Sequence, residues 1–180
     1  ELFQFGQAFF FFFFGRKGVF SVGVLAVACC AVVFFRLRFF GRFVLCVLFV
    51  VLCRLKGVSE SLGHATGDRI RRAAAARVQQ TVGAQHTVAR LSGDEFTVVL
   101  EDVTSMQQAE DIAQQLITAF MQPLNFGERL ELSVSPSIGI SLYPDHAQVP
   151  TDLLKHADTA MYQAKAAGRH TYQVYSETMD

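Results

Sequence analysis

The chain has 180 residues, enough for one domain, and its 16 Lys and Arg balance its 16 Asp and Glu. With no net charge, its overall field does not draw it onto a nucleic-acid polymer or an acidic membrane surface. The balance conceals two dissimilar parts: residues 1–50 hold 15 of the 18 Phe, five basic residues and a single acid, Glu1, while all four Cys fall at or before Cys53. A disordered chain and a disulfide-knotted secreted domain are both excluded.

The front of the chain is unlike the rest. Phe9–Phe14 is a run of one residue type that no helix or strand pattern calls for. Val19–Phe35 is uncharged and bounded by Arg16, Lys17, Arg36 and Arg38. As a helix it would span roughly 25 Å, a marginal membrane crossing, and basic residues at both ends leave its orientation uncoded. Three readings stand for residues 1–42: a membrane or signal-like segment, a very apolar buried part of the domain, or a stretch that is not natural sequence.

From residue 43 the pattern becomes regular. Phe43–Cys53 is a continuous apolar run of the kind a strand covered on both faces shows. A loop is expected next, then a helix over Arg69–Val82, with Ile70, Ala73, Ala74, Arg77 and Val78 at turn spacing. Val88–Leu91 and Phe96–Leu100 read as strands of a hairpin around Ser92-Gly93-Asp94-Glu95. Thr104 with Gln107 predicts a capping box opening a helix to Met121, closed by Pro123. Leu130–Val134 and Ile138–Leu142 are expected as short strands around Ser135-Pro136. Thr151-Asp152 opens a helix with an apolar face of Leu154, Ala157, Met161 and Ala164, stopped by Gly168, and Tyr172–Tyr175 is a last strand. Strands alternating with helices and hairpins define an α/β class with a central mixed sheet.

Asp94 and Glu95 are adjacent acids at a turn where Gly93 lets another group approach the backbone. Carboxylates on a rigid hairpin are hard oxygen ligands, suited to Mg²⁺ carried with nucleotide phosphates. Taken alone the tip is better explained as an ordinary solvated turn, since acids and Gly are what turns use.

Four blocks in order make the pattern specific. Ala89–Phe96 (ARLSGDEF) resembles the signature hairpin of the GGDEF family, the diguanylate cyclases. Lys56–Asp68 is similar to that family's K-x-x-N-D-x-x-G-H-x-x-G-D block, Ser137–Ser141 to its S-I-G-I strand, and Ala157–Lys165 with Gly168-Arg169 to its A-D-x-A-M-Y-x-A-K…G-R helix. The resemblance implies a fold related to nucleotide cyclases and polymerase palms over residues 43–175. It also implies two domains face to face as a homodimer, each holding one GTP and Mg²⁺ or Mn²⁺. The 3′-hydroxyl of each GTP attacks the other's α-phosphate, giving cyclic di-GMP and two pyrophosphates. By the resemblance Asp94 and Glu95 are the metal-binding and catalytic acids, Asp68 and Ser59 meet the guanine, Ser92 and Gly93 form the substrate-binding turn, and Lys56, Lys165 and Arg169 clamp phosphates. Lys165 and Arg169 also suit a helix C-terminus, and Asp68 a helix N-terminus.

The departures from the family pattern are equally informative. The first-strand aspartate, a principal metal ligand, is replaced by Val51, and a second common aspartate by Cys53. Ser59 stands for the guanine-binding asparagine and Ser92 for the first signature glycine, and Gly15–Val24 shows nothing of the L-T-G-L-x-N-R motif. Loss of a ligand worth about 3–4 kcal/mol in the transition state lowers the rate about 10²–10³-fold. Apart from Ser92, the damaging departures lie at or before residue 59, a pattern that points to a corrupted or misassigned front rather than an evolved pseudo-enzyme. The inhibitory R-x-x-D motif falls on Gly83-Ala84-Gln85-His86 and is absent, so feedback inhibition through it is not expected.

The cysteines have no metal-ligand spacing. His64 is expected to brace its loop, and His86, His146, His156 and His170 to lie at the surface. Tyr175–Asp180 resembles the exit segment toward a following EAL phosphodiesterase domain, with 176–180 as linker. The localisation implied is cytoplasmic, membrane-tethered if the front spans a bilayer. Two functions follow: a diguanylate cyclase impaired at Val51, or a non-catalytic module that binds GTP or cyclic di-GMP and regulates an attached domain.

Overall fold

The computed structural model describes residues 44–126 and 131–179. The Phe-rich segment 1–42, Phe43 and Leu130 lie outside these residues.

The elements run β1 (Val44–Cys53), α1 (Leu55–Ser61), α2 (His64–Val82), β2 (Thr87–Ser92), β3 (Glu95–Val103), α3 (Met106–Ala119), β4 (Leu124–Asn125), β5 (Glu131–Leu132), β6 (Ser135–Tyr143), α4 (Pro150–Ala166) and β7 (Thr171–Val174), followed by a 3₁₀ turn, Glu177–Met179. The main sheet has the order β2-β3-β1-β6-β7, with β6 and β7 parallel and the other neighbours antiparallel. This is the expected mixed α/β sheet, with the first strand at its centre. Among the described residues no helix is long and apolar enough to cross a membrane.

β1 is apolar throughout because both its faces are covered. Cys46, Leu48, Val50 and Leu52 pack with Ile70, Ala74 and Val78 of α2 and Ala113 and Leu116 of α3. Val47, Phe49 and Val51 face the other way, against Leu153, Ala157 and Met161 of α4. The result is three layers with β1 in the middle one. Gly139 of β6 permits the closeness of α4: a Cβ there would stand 1.9 Å from the Ala157 carbonyl oxygen and 2.3 Å from the Met161 nitrogen.

Several sequence expectations require correction. The expected loop after β1 is helix α1, entered through Arg54 in the left-handed region at φ 76°. Helix α2 begins at His64, not Arg69, because Gly63 supplies the bend (φ 82°) and the chain continues helically through Gly67. Arg77 lies in this helix at the expected spacing, and its guanidinium donates to the carbonyls of Ala119, Gln122 and Pro123 and lies over the Phe120 ring, closing the end of α3. The capping box sits one residue further on, where Ser105 Oγ accepts the Gln108 N–H at 3.3 Å and Gln108 Oε1 accepts the Thr104 N–H at 3.0 Å. Ser135-Pro136 is not a turn but the start of the nine-residue β6, paired to Cys53 and Leu52. Its lack of a proline N–H is tolerated because that pairing lies at the strand's first residues.

Three of the four histidines expected at the surface are packed. His86 is buried, and its Nδ1 accepts the Glu101 N–H at 3.3 Å. His146 and His156 are half-buried against Tyr175. His170 is exposed as expected, and the His64 side chain lies outside what is described.

Candidate active site

The site is assembled at the C-terminal end of β1. Ser92 pairs with Glu95 across a two-residue turn, Gly93-Asp94, and the Ser92 hydroxyl donates to Glu95 Oε2 at 2.6 Å. The tip is fixed to β1 by register: Val51 opposes Glu95, and the Leu52 N–H donates to the Asp94 carbonyl at 3.0 Å. Because directly paired residues present their side chains to one face, Glu95 and Val51 share the face under α4. Asp94 and Glu95 are half-buried, while among the described residues no atom beyond the chain neighbours of Gly93 lies within 4 Å of a Cβ position there. The turn backbone is therefore open to approach from outside, as expected.

Val51, on the position where the family pattern has its aspartate, is 2 % exposed and packed on Ala157 and Met161. It supplies no oxygen, and the α4 side chains that cover it are apolar, although Glu95 and Ser137 flank it in the sheet. Across from it Ser137 is buried, with its hydroxyl 3.8 Å from the Cys53 thiol. Cys53 thus lies on the same face two residues beyond Val51, as strand alternation requires.

Helix α4 brings in the cations. Gly168, at φ 113°, ends it with two backbone bonds: the Gly168 N–H donates to Lys165 O at 3.3 Å and the Arg169 N–H to Ala164 O at 3.2 Å. This closure is the reason for the glycine before Arg169. Among the described residues no carboxylate lies within ion-pair distance of Lys165 or Arg169. Asp158, quoted within the α4 motif but not singled out from sequence, belongs to the site. Partial burial and the charge of Glu95 raise its carboxyl above the usual range, and Lys165 opposes them. Glu95, Asp158 and Lys165 therefore share one electrostatic neighbourhood. The signal in the sequence was spacing: residues 158 and 165 stand two helical turns apart, on one face.

Asp68 lies in the first turn of α2, exposed, with Arg71 Nη2 at 2.5 Å from its Oδ1. That hydrogen bond and the Arg71 charge lower its carboxyl below the usual range, with Arg72 and Arg90 adding to the effect. Arg90 stands two residues before Ser92, so Asp68 feels the strand that leads to the tip. No hydrogen bond or ion pair among the described residues joins Asp68 to Lys165 or Arg169. Lys56 and Ser59 both lie on α1, three residues apart, and their side chains are outside what is described.

A five-stranded mixed sheet flanked by helices, with the Ser92–Glu95 hairpin set beside the end of β1, defines the α/β class that the motifs imply. The profile of the family described as "Diguanylate cyclase, GGDEF domain" matches residues 41–171, and the chain belongs to that family. It is 41 % identical over 125 residues to the diguanylate cyclase TpbB of Pseudomonas aeruginosa, covering 69 % of this chain and 29 % of that protein. It is 39 % identical over 134 residues to the bifunctional diguanylate cyclase/cyclic di-GMP phosphodiesterase MucR of the same organism, covering 74 % of this chain and 19 % of that protein. The chain thus spans less than a third of the length of either relative. Among solved structures, one comprising only the GGDEF domain of TpbB superposes with TM-score 0.80 at 33 % identity, over 88 % of this chain and 92 % of that one.

Proposed function

We propose that this domain serves cyclic di-GMP signalling by binding GTP at the Ser92–Glu95 tip, as a diguanylate cyclase weakened at its metal. The observation that carries the reading is the register that sets Glu95 against Val51 and ties the Asp94 backbone to Leu52. Likeness to TpbB and MucR supports the reaction type. In this reading Lys165, Arg169 and Lys56 take phosphates, Arg169 able to do so with two parallel N–H donors. Asp68, kept ionised by Arg71, accepts the guanine edge together with Ser59. Two copies meet face to face as a homodimer, so that each hydroxyl reaches the other's α-phosphate.

Hard carboxylate oxygens at the tip suit Mg²⁺ or Mn²⁺. Yet no three His, Cys, Asp or Glu side chains among the described residues converge on a cation position. The donor set therefore fits in part: Glu95 and Asp94 would hold the ion together with phosphate oxygens. When bound, the ion neutralises phosphate charge, and this chain supplies it one carboxylate fewer than the family pattern.

A second reading is a non-catalytic module that holds GTP or cyclic di-GMP and regulates an attached EAL domain. The burial of Val51 under apolar side chains of α4 favours it. Titration calorimetry with GTP, with and without Mg²⁺, and chromatography of nucleotide products separate the two. Weak binding with slow formation of cyclic di-GMP supports the first reading. Binding with no product supports the second, and no nucleotide binding overturns both.

A further inference from the structure

The chain leaves the sheet through a cluster of rings that the nucleotide site does not use. His146 stands in the turn between β6 and α4, where its ring Nδ1 accepts the Leu142 N–H at 3.0 Å and its backbone N–H donates to Leu142 O at 2.8 Å. His156 of α4 donates from Nδ1 to the His146 carbonyl at 2.9 Å. Tyr175, just past β7, is 5 % exposed and stacks on His156 with centroids 4.0 Å apart and planes 5° apart. His146 meets the same ring edge-on at 5.6 Å, and the Tyr175 N–H donates to Ile140 O at 2.9 Å. A cleft of about 530 Å³ walled by Asp145, His146, His156, Tyr175, Ser176 and Glu177 gives water access to the cluster.

This arrangement requires a neutral His146. An imidazolium carries N–H on both nitrogens, so Nδ1 could not accept the Leu142 N–H, and two donors would face each other. The groups around His146 are Asp145 from the turn, His156 from α4, Tyr175 and Glu177 from the segment after β7, and the backbone of Leu142 from β6. Burial holds the imidazole below its ordinary midpoint and the neighbouring His156 adds to this, while Asp145 pulls the other way.

We propose that His146, His156 and Tyr175 form a proton-released clasp, which fixes the segment leaving β7 to helix α4 in neutral solution and frees it when His146 is protonated. The sign follows from the lowered midpoint. Above pH 6.5 the clasp contributes its full stability, and it is lost as pH falls from 6.5 through the lowered folded midpoint. Helix α4 also carries Asp158 and Lys165, so the clasp ties whatever follows β7 to the helix that serves the nucleotide site.

Hydrogen exchange of the full chain, corrected for intrinsic rates, tests the proposal at the Leu142 and Tyr175 amides. Their protection should fall by up to about tenfold per pH unit below the ordinary histidine midpoint. In His146→Asn, whose side-chain carbonyl accepts without titrating, protection should be flat with pH. Unchanged protection in the native chain, or the same fall in the variant, overturns the clasp. Imidazole titration by NMR on the unaltered protein is the second readout. A His146 midpoint below the ordinary value of 6.5 supports the proposal, and one at or above it overturns it.

Discussion

Restoring a carboxylate at Val51 tests the active-site reading most directly, and the structure says what the change costs. Val51 is 2 % exposed, packed on Ala157 and Met161, and paired with Glu95. Val51→Asp forgoes about 1.5 kcal/mol of apolar burial. It also places an acid in that setting beside Glu95, and an uncompensated buried charge costs about 3–5 kcal/mol. Burial and Glu95 both raise the introduced carboxyl's midpoint. A raised midpoint makes the variant least unstable below the ordinary aspartate value, with the penalty growing as pH rises through the folded one. A divalent ion reverses the balance by taking the charge as a ligand. At roughly 100 times its Kd it returns about 2.7 kcal/mol. Urea denaturation of Val51→Asp at neutral pH should therefore show a loss of about 4.5–6.5 kcal/mol, roughly half of it recovered with Mg²⁺, whereas the unaltered chain should respond little. Paired with Ser59→Asn, the variant should raise cyclic di-GMP formation from GTP by about 10²–10³-fold. A folded double variant with no Mg²⁺-dependent stabilisation and no gain in product would refute the reasoning, and the binding-module reading would replace it.

Other substitutions probe the frame around the site. Gly139→Ala should destabilise by about 2–3 kcal/mol in urea, because its methyl would collide with backbone atoms of α4 that cannot give way. Arg77→Met should cost about 2 kcal/mol in the same assay by stripping charged donors from carbonyls at the end of α3. Arg54→Gly should raise the thermal midpoint, since a left-handed non-glycine residue there costs about 1 kcal/mol. His86→Ala should lose about 1–3 kcal/mol by leaving the Glu101 N–H without its acceptor.

Much of the fold could be read from local pattern. The apolar run of β1 announced a strand covered on both faces, and Ser92–Glu95 announced a hairpin because turn chemistry is written in adjacent residues. What failed was long-range. Ser135-Pro136 reads as a turn, and only pairing with Leu52 and Cys53 makes it strand. Helix α1 is short and contains Gly57, so its propensity was too weak to compete with a loop, yet Leu55 is buried in the main core and holds it in place. His86, His146 and His156 carry no periodic signal, and their burial depends on backbone partners and a ring brought from elsewhere in the chain.

The site was legible where its residues are contiguous and illegible where it depends on α4 lying over the sheet. Asp94 and Glu95 could be named because a tight turn places them together whatever surrounds it. Asp158 could not, because its nearness to Glu95 follows from Gly139 admitting α4 to within contact of the strand backbone. The same close approach explains why Val51 can be apolar without disturbing the fold. A helix packed that tightly covers the end of β1, and a valine there gains burial where a carboxylate would need an ion. The tip, the helix and the strand register are thus maintained by packing of α4 on β1 together with the ladder and the Leu52–Asp94 hydrogen bond. The frame of the domain accordingly accommodates a valine at the end of β1.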